Sequence, residues 1–253
     1  MSPQNMSDNQ NCLMVLNAIF LKEMYFCRKT VVMVVDHAQK IWSSPDAPQQ
    51  IEALYLALQE EKKRRNDFRQ WITPAIKAEF INGEVVLHSP VKKKHFSVTD
   101  LLSRILSIYA SVNKLGRVAT EKAMIALTRN DYEPDLVFFS KVRYDTFTED
   151  QMLFPAPDFV VEILSKKTAA RDRGIKKQDY AAHGIREYWI IDPNRQEIEQ
   201  FILLSPNDKQ YTPAKYFGPD DDIESYAIEG FTIPVMAIFD EAVNVETLQN
   251  ILN

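Results

Sequence analysis

Two acidic residues stand where acids are costly to place. Glu162 interrupts Phe159-Val160-Val161-Glu162-Ile163-Leu164, an apolar run rich in β-branched and aromatic residues that predicts a buried strand. Asp135 follows Pro134 and opens onto Leu136-Val137-Phe138-Phe139, a second short apolar strand. A carboxylate in such a setting needs a cation, a hydrogen-bond donor or a metal ion. Two strands of this kind predict two carboxylates meeting in one cleft. Downstream, Thr168 to His183 reads as a helix, with Ser165 or Thr168 as its cap and Gly184 as the residue that ends it. Lys176 shares a helical face with Asp172 and Tyr180. This helix can therefore aim a lysine at the acids: Lys176, or Lys177 in another phase. On residue types alone, a structural Glu162–Lys176 ion pair and a carboxylate-held divalent cation are equally good readings.

These residues need a scaffold, and the flanking sequence alternates strand and helix signals. Met1 to Asn11 reads as a polar tail, and Cys12 to Trp42 as a helix with Leu13, Leu16, Ile19 and Phe20 on its stripe. Gln49 to Asn66 reads as a second helix with Ile51, Leu54, Tyr55 and Leu58 on one face. It ends in Glu60-Glu61-Lys62-Lys63-Arg64-Arg65. That charge run is expected to be a solvated face, with a DNA-facing patch at Lys62 to Arg65 as the sharper alternative. Residues 1–66 are thus expected to form a helical extension, and 67–253 the main domain. Asn82-Gly83 predicts a hairpin turn between Phe80-Ile81 and Val85-Val86-Leu87. A helix is expected from Ser97 to Asn113, and strands at Arg117–Thr120, Ala123–Leu127 and Glu197–Leu204. A last strand and a terminal helix are expected within Ile228 to Ile251. Asp158, Tyr180 and Trp189 are expected to serve structure and core packing. The predicted fold class is α/β, a mixed central sheet flanked by helices.

Composition narrows the function classes. A hydrophobic content of 45% supplies an ordinary core, and only 6 glycines leave no room for a Gly-rich phosphate loop. The net charge of −5 lacks the overall basic footprint of a tight nonspecific nucleic-acid binder. Cys12 and Cys27 are the only cysteines and form no CxxC pair, which disfavours a thiolate zinc site and fits a reducing, cytoplasmic setting. Charges at Lys22, Glu23, Arg28 and Lys29 break the apolar stretch from Leu13 to Val35. No membrane span or secretory signal is expected.

Several coupled motifs carry a resemblance: Ile81-Asn82-Gly83-Glu84, Glu133-Pro134-Asp135, Ala156-Pro157-Asp158-Phe159-Val160-Val161-Glu162-Ile163-Leu164-Ser165, Arg171-Asp172-Arg173-Gly174-Ile175-Lys176 and Glu187-Tyr188-Trp189-Ile190-Ile191-Asp192-Pro193. From about Ala78 to Leu204 the chain resembles the Uma2 family, restriction-endonuclease-like proteins of the PD-(D/E)XK nuclease superfamily. The resemblance implies a nuclease-like fold and a Mg²⁺-dependent DNA endonuclease, with Mn²⁺ able to substitute. Asp135 and Glu162 would hold the metal, with the backbone carbonyl of Ile163 as a third ligand. The superfamily lysine falls two residues beyond the second acid, where this chain has Leu164. Similar members supply it from the next helix, at the position of Lys176, with Lys177 as the alternative. Glu84 matches the family's upstream acid. His95, with Lys94 and Lys177, would meet the substrate phosphate. A homodimer is implied by analogy, since two active sites suit two strands. Competing expectations are a catalytically inactive nuclease-fold module that binds DNA or a protein partner, and a metal-dependent hydrolase acting on RNA or a small phosphoester.

Overall fold

The computed structural model describes residues 38–121 and 123–253. The expected tail, Cys12, Cys27 and most of the first expected helix lie outside the described residues, although 38–42 is helical. The chain divides into two compact units, 1–61 and 62–253. The boundary lies inside helix α1 (Ala47–Trp71), which runs further than the expected Gln49–Asn66. It continues because nothing breaks it before Thr73-Pro74, and because Phe68 near its end is buried in a small core with Ile72, Ala78, Phe80 and Met124.

The charged run in α1 is not uniformly solvated. Lys62, Lys63 and Arg64 are exposed, but Arg65 is buried. Its guanidinium makes a bidentate pair with Asp131 (2.6 and 2.9 Å) and donates to the carbonyls of Leu127, Thr128 and Asn130. Arg69 grips the same carboxylate at 2.7 and 2.9 Å. Two planar guanidinium forks on one buried carboxylate fix the end of α1 to the turn at 127–131.

The second unit is built on a six-stranded mixed sheet. Its strands are β3 (Gly116–Thr120), β6 (Leu136–Ser140), β8 (Phe159–Ile163), β9 (Glu187–Asp192), β10 (Glu197–Ile202) and β11 (Lys215–Phe217), in the spatial order β11-β10-β9-β8-β6-β3. Within this sheet β8 and β9 pair in parallel and the other neighbours antiparallel. A five-stranded sheet comprises β1 (Ala78–Ile81), β2 (Glu84–Leu87), β4 (Met124–Ala126), β5 (Asp131–Tyr132) and β7 (Leu153–Phe154), in the order β2-β1-β5-β4-β7. At the β1–β2 hairpin, Asn82 and Gly83 both have positive φ, 50° and 85°, as the expected tight turn demands.

Strand periodicity decides what each face of the large sheet carries. Leu136 and Phe138 of β6 join Phe159, Val161 and Ile163 of β8 in one core. That face is covered by helix α2 (Lys93–Val112), packed through Val98, Leu102, Ile105 and Leu106. Val137, Phe139 and Val160 point the other way, into a second core with Tyr132, Tyr180 and Tyr188. Glu162 is in phase with Val160, and Asp135 with Val137, so both acids belong to the second face. Beyond β13 (Thr232–Pro234), the C-terminal helix Glu241–Leu252 is capped by Asp240, which accepts from the N–H groups of Ala242 and Val243. Among the described residues no helix is long and apolar enough to cross a membrane.

Candidate active site

The two acids meet because β6 and β8 are neighbours. Leu136 pairs with Val161, so the next position places Asp135 across from Glu162. The N–H of Ile163 donates to Asp135 Oδ2 at 2.8 Å, locking that side chain against the strand that carries Glu162. His95 Nε2 lies 3.2 Å from the same Asp135 oxygen, and Lys77 Nζ lies 3.6 Å from Oδ1. Helix α2 begins one turn earlier than the Ser97 start expected from sequence, and this earlier start puts His95 on the helix and beside Asp135.

The helix after β8 delivers the lysine. It has α-helical ends at Ala169–Arg171 and Lys177–Ala182, with a π-helical turn at Asp172–Lys176 between them. A π turn adds a residue to the helical repeat and recurs at functional sites. Here it turns Lys176 inward. Its ammonium lies 2.9 Å from Glu162 Oε1, 2.8 Å from Glu79 Oε1 and 3.7 Å from Asp172 Oδ1. Lys177 faces elsewhere, over the Phe201 ring at 4.9 Å. The helix closes as expected at Gly184 (φ 75°): Ile185 N–H donates to Tyr180 O and Gly184 N–H to Ala181 O.

Several site residues were not anticipated as such. Glu79 is 1% exposed and accepts from the Glu133 N–H at 3.0 Å, with His88 Nε2 at 3.1 Å from its other oxygen. Glu133 accepts from the Ala78 N–H at 3.0 Å. Tyr180, expected as core packing alone, also donates its hydroxyl to Glu162 Oε1 at 2.9 Å. The sequence signal for Glu79 was the one used for Glu162, an acid set among Ala78, Phe80 and Ile81. Glu84 lies on the exposed edge strand β2, and its carboxylate makes no hydrogen bond or ion pair with a described residue. The hairpin's acid at the cluster is Glu79, because β1 is enclosed between β2 and β5. Lys94 is exposed and hydrogen-bonds Asn194 rather than the acids. Asp158 is structural as expected, accepting from the Ser140 N–H and Arg143 Nε.

The cluster carries more negative than positive charge. Five carboxyl groups, those of Glu79, Glu133, Asp135, Glu162 and Asp172, are buried around two ammoniums, Lys77 and Lys176, and the imidazoles of His88 and His95. Burial drives Glu162 well above the ordinary carboxylate range despite Lys176. Burial likewise raises Glu133 and Asp172. For Asp135, burial is outweighed by His95, Lys77 and the Ile163 N–H, and its carboxyl is lowered. Glu79 is held at about 2, as Lys176 and His88 together overcome burial. Lys176 is raised well above its ordinary value by Glu162, Glu79 and Asp172, against burial, and stays charged.

This donor set fits a hard divalent cation. Both hydrogen bonds to Glu162 fall on Oε1, leaving Oε2 without a donor among the described residues. Asp135 Oδ1 has only the Lys77 ammonium, beyond hydrogen-bond distance. Neither Asp172 oxygen accepts a hydrogen bond of good geometry. Among the described residues no three His, Cys, Asp or Glu side chains close around one point as a metal cage. An ion held here would take one or two carboxylates and keep its waters, a coordination that Mg²⁺ accepts. A cleft of roughly 550 Å³ lined by Phe96, Thr99, Arg104, Thr120, Glu121 and Glu241 lies on neighbouring elements, and none of the cluster's acids, lysines or histidines lines it. Glu121 N–H donates to Asp135 O, and Thr99 Oγ1 to His95 O, each at 3.1 Å.

Comparison with known proteins gives a consistent result. Residues 65–236 match the model of the Uma2 family, described as "Putative restriction endonuclease". An uncharacterized protein of Synechocystis sp. is 25% identical over 151 residues, 58% of this chain and 83% of that protein. A crystal structure from Anabaena variabilis, titled a "putative nuclease belonging to DUF820", aligns with a TM-score of 0.60 at 17% identity. The alignment covers 71% of this chain and 97% of that one. That likeness shows a shared mixed α/β fold.

Proposed function

Because this chain belongs to the Uma2 family, we propose that it is a divalent-metal-dependent endonuclease that hydrolyses phosphodiester bonds of DNA. One observation carries the reading: Asp135, Glu162 and Lys176, drawn from two strands and a helix, converge in one buried cluster that keeps carboxylate oxygens without hydrogen-bond donors. Asp135 and Glu162 would hold Mg²⁺ or Mn²⁺, with the backbone at Ile163 beside them. The metal would supply Lewis-acid polarisation of the phosphoryl oxygen and a water of lowered pKa.

The chain's own residues set the geometry for this chemistry. Lys176 and Tyr180 both hold Glu162 Oε1, so the other oxygen is presented in a fixed direction. The Ile163 N–H does the same for Asp135 Oδ2. His95 Nε2 stands 3.2 Å from the same Asp135 oxygen and helps to hold that carboxylate in place. The three buried side chains Tyr132, Tyr180 and Tyr188 exclude water behind the acids. Cutting both strands of a duplex calls for two such sites, and a homodimer would supply them.

The test is conversion of supercoiled plasmid to nicked and linear forms with Mg²⁺ or Mn²⁺, comparing the intact protein with Asp135→Asn and Glu162→Ala. Metal-dependent nicking that both variants lose supports the proposal. Cation binding by calorimetry without cleavage points to another phosphoester substrate. Folded protein that neither cleaves nor binds the cation overturns the proposal and leaves a nuclease-fold binding module.

A further inference from the structure

Two lysines reach the acid cluster, and they are placed very differently. Lys176 has all its donor directions taken: Glu79 and Glu162 lie within hydrogen-bond distance, Asp172 is at 3.7 Å, and its side chain is 2% exposed. The Tyr132 ring covers it at 5.7 Å. To meet a substrate, Lys176 would have to abandon two buried carboxylates. Lys77 makes no side-chain hydrogen bond with a described residue. Its one ion pair is with Asp135 Oδ1 at 3.6 Å, its charge also acts on the Glu133 carboxyl, and its side chain is 17% exposed.

The backbone of Lys77 is nevertheless fixed. It directly precedes β1 and is in phase with Glu79, so the strand that buries Glu79 also aims Lys77 at the cluster. Its carbonyl accepts from His88 N–H at 3.1 Å, and the next residue, Ala78, donates to Glu133. The result is an anchored stem with a charged tip beside one of the two acids assigned to the metal. From these placements we infer that Lys77, and not Lys176, is the lysine that contacts the phosphate undergoing hydrolysis. The inference rests on the nuclease reading above and names a substrate-contacting residue of that site. A cation on Asp135 would offset the charge that draws the Lys77 ammonium to it. The ammonium can then turn to a non-bridging phosphate oxygen and offset the negative charge that develops there. Lys77 transfers no proton in this role. Lys176 is a positioning residue, holding Glu79 and Glu162.

The experiment compares wild type, Lys77→Met and Lys77→Arg in single-turnover plasmid cleavage with Mg²⁺. A second measurement follows binding of a labelled DNA duplex in Ca²⁺ as salt is varied. Lys77→Met is expected to cut about 100-fold or more slowly while remaining folded, with undiminished Mn²⁺ affinity. Its salt dependence of binding should be lower by about one phosphate contact. Lys77→Arg should recover a substantial part of the rate, which a merely structural role would not produce. Equal cleavage rates for wild type and Lys77→Met would overturn the inference. Should the wild type cut no DNA, the nuclease reading itself fails, and duplex binding decides for Lys77. A reduced salt slope in Lys77→Met would support phosphate contact, and an unchanged slope would overturn it.

Discussion

Replacing Lys176 with methionine keeps most of the side-chain volume and removes the ammonium shared by Glu79 and Glu162. The structure sets the size of the effect. Glu79 is fully buried, and burial alone would raise it, yet Lys176 and His88 hold it at about 2 against an ordinary 4.5. A carboxyl lowered by that much is worth about 3 kcal/mol at neutral pH. Stripping one partner from a buried pair costs a similar 3–5 kcal/mol or so. For a domain of this size, roughly 2–4 °C per kcal/mol gives a fall in melting temperature of about 6–12 °C at pH 7. The pH dependence has a definite sign. The folded value of Glu79 lies below its unfolded value, so its stabilisation is present above about pH 4.5 and is lost as pH falls toward 2. The deficit of Lys176→Met should therefore be largest near neutrality and shrink as the stranded carboxyls protonate in acid. Thermal unfolding followed by circular dichroism from pH 4 to 8 measures this. Adding Glu79→Gln to Lys176→Met removes one stranded charge and should restore part of the loss. A fall under 2 °C at pH 7, or a deficit that grows toward acid, would refute the reasoning.

Three further outcomes follow from particular contacts. Glu84→Gln, on the exposed edge strand, should leave stability within about 0.5 kcal/mol of wild type and cleavage unchanged; Glu79→Gln should impair cleavage, both read in the plasmid assay. Asp131 is lowered, with burial outweighed by Arg65 and Arg69, so its stabilisation is present above the ordinary carboxylate range and lost as pH falls below it. Asp131→Asn should accordingly cost about 3–5 kcal/mol at pH 7 and much less at pH 3, measured by urea unfolding at both. Asp240→Ala removes the acceptor for two N–H groups at the start of the C-terminal helix and should cost about 1 kcal/mol, detected as a lower urea midpoint.

Local pattern was legible wherever neighbouring residues decide the outcome. The apolar run around Glu162 marked a buried strand carrying one acid, as observed. Asn82-Gly83 marked the hairpin, and Gly184 marked the helix end, because few residues adopt positive φ there. The Arg65 role was not legible. A run of charges reads as solvated, and its partner Asp131 is remote in sequence. Helix phase was also hidden: a regular helix leaves Lys176 and Lys177 as alternatives, and the π turn, a tertiary compromise, is where the chain turns Lys176 toward the acids.

The amino-acid sequence by itself determined the α/β class, the two acid-bearing strands and a lysine-bearing helix after them, since these depend on periodicity and on the cost of placing a charge among apolar neighbours. Only the tertiary structure decided which charges meet. Glu79 rather than Glu84 joins the cluster because β1 is enclosed in its sheet while β2 is an edge. Asp135 faces Glu162 because β6 pairs with β8 in one register. Lys77 stands beside Asp135 beyond hydrogen-bond distance while Lys176 is enclosed by three acids. Each is a contact between residues far apart along the chain, set by strand order, register and helix phase, and none of these is encoded in a short window of sequence.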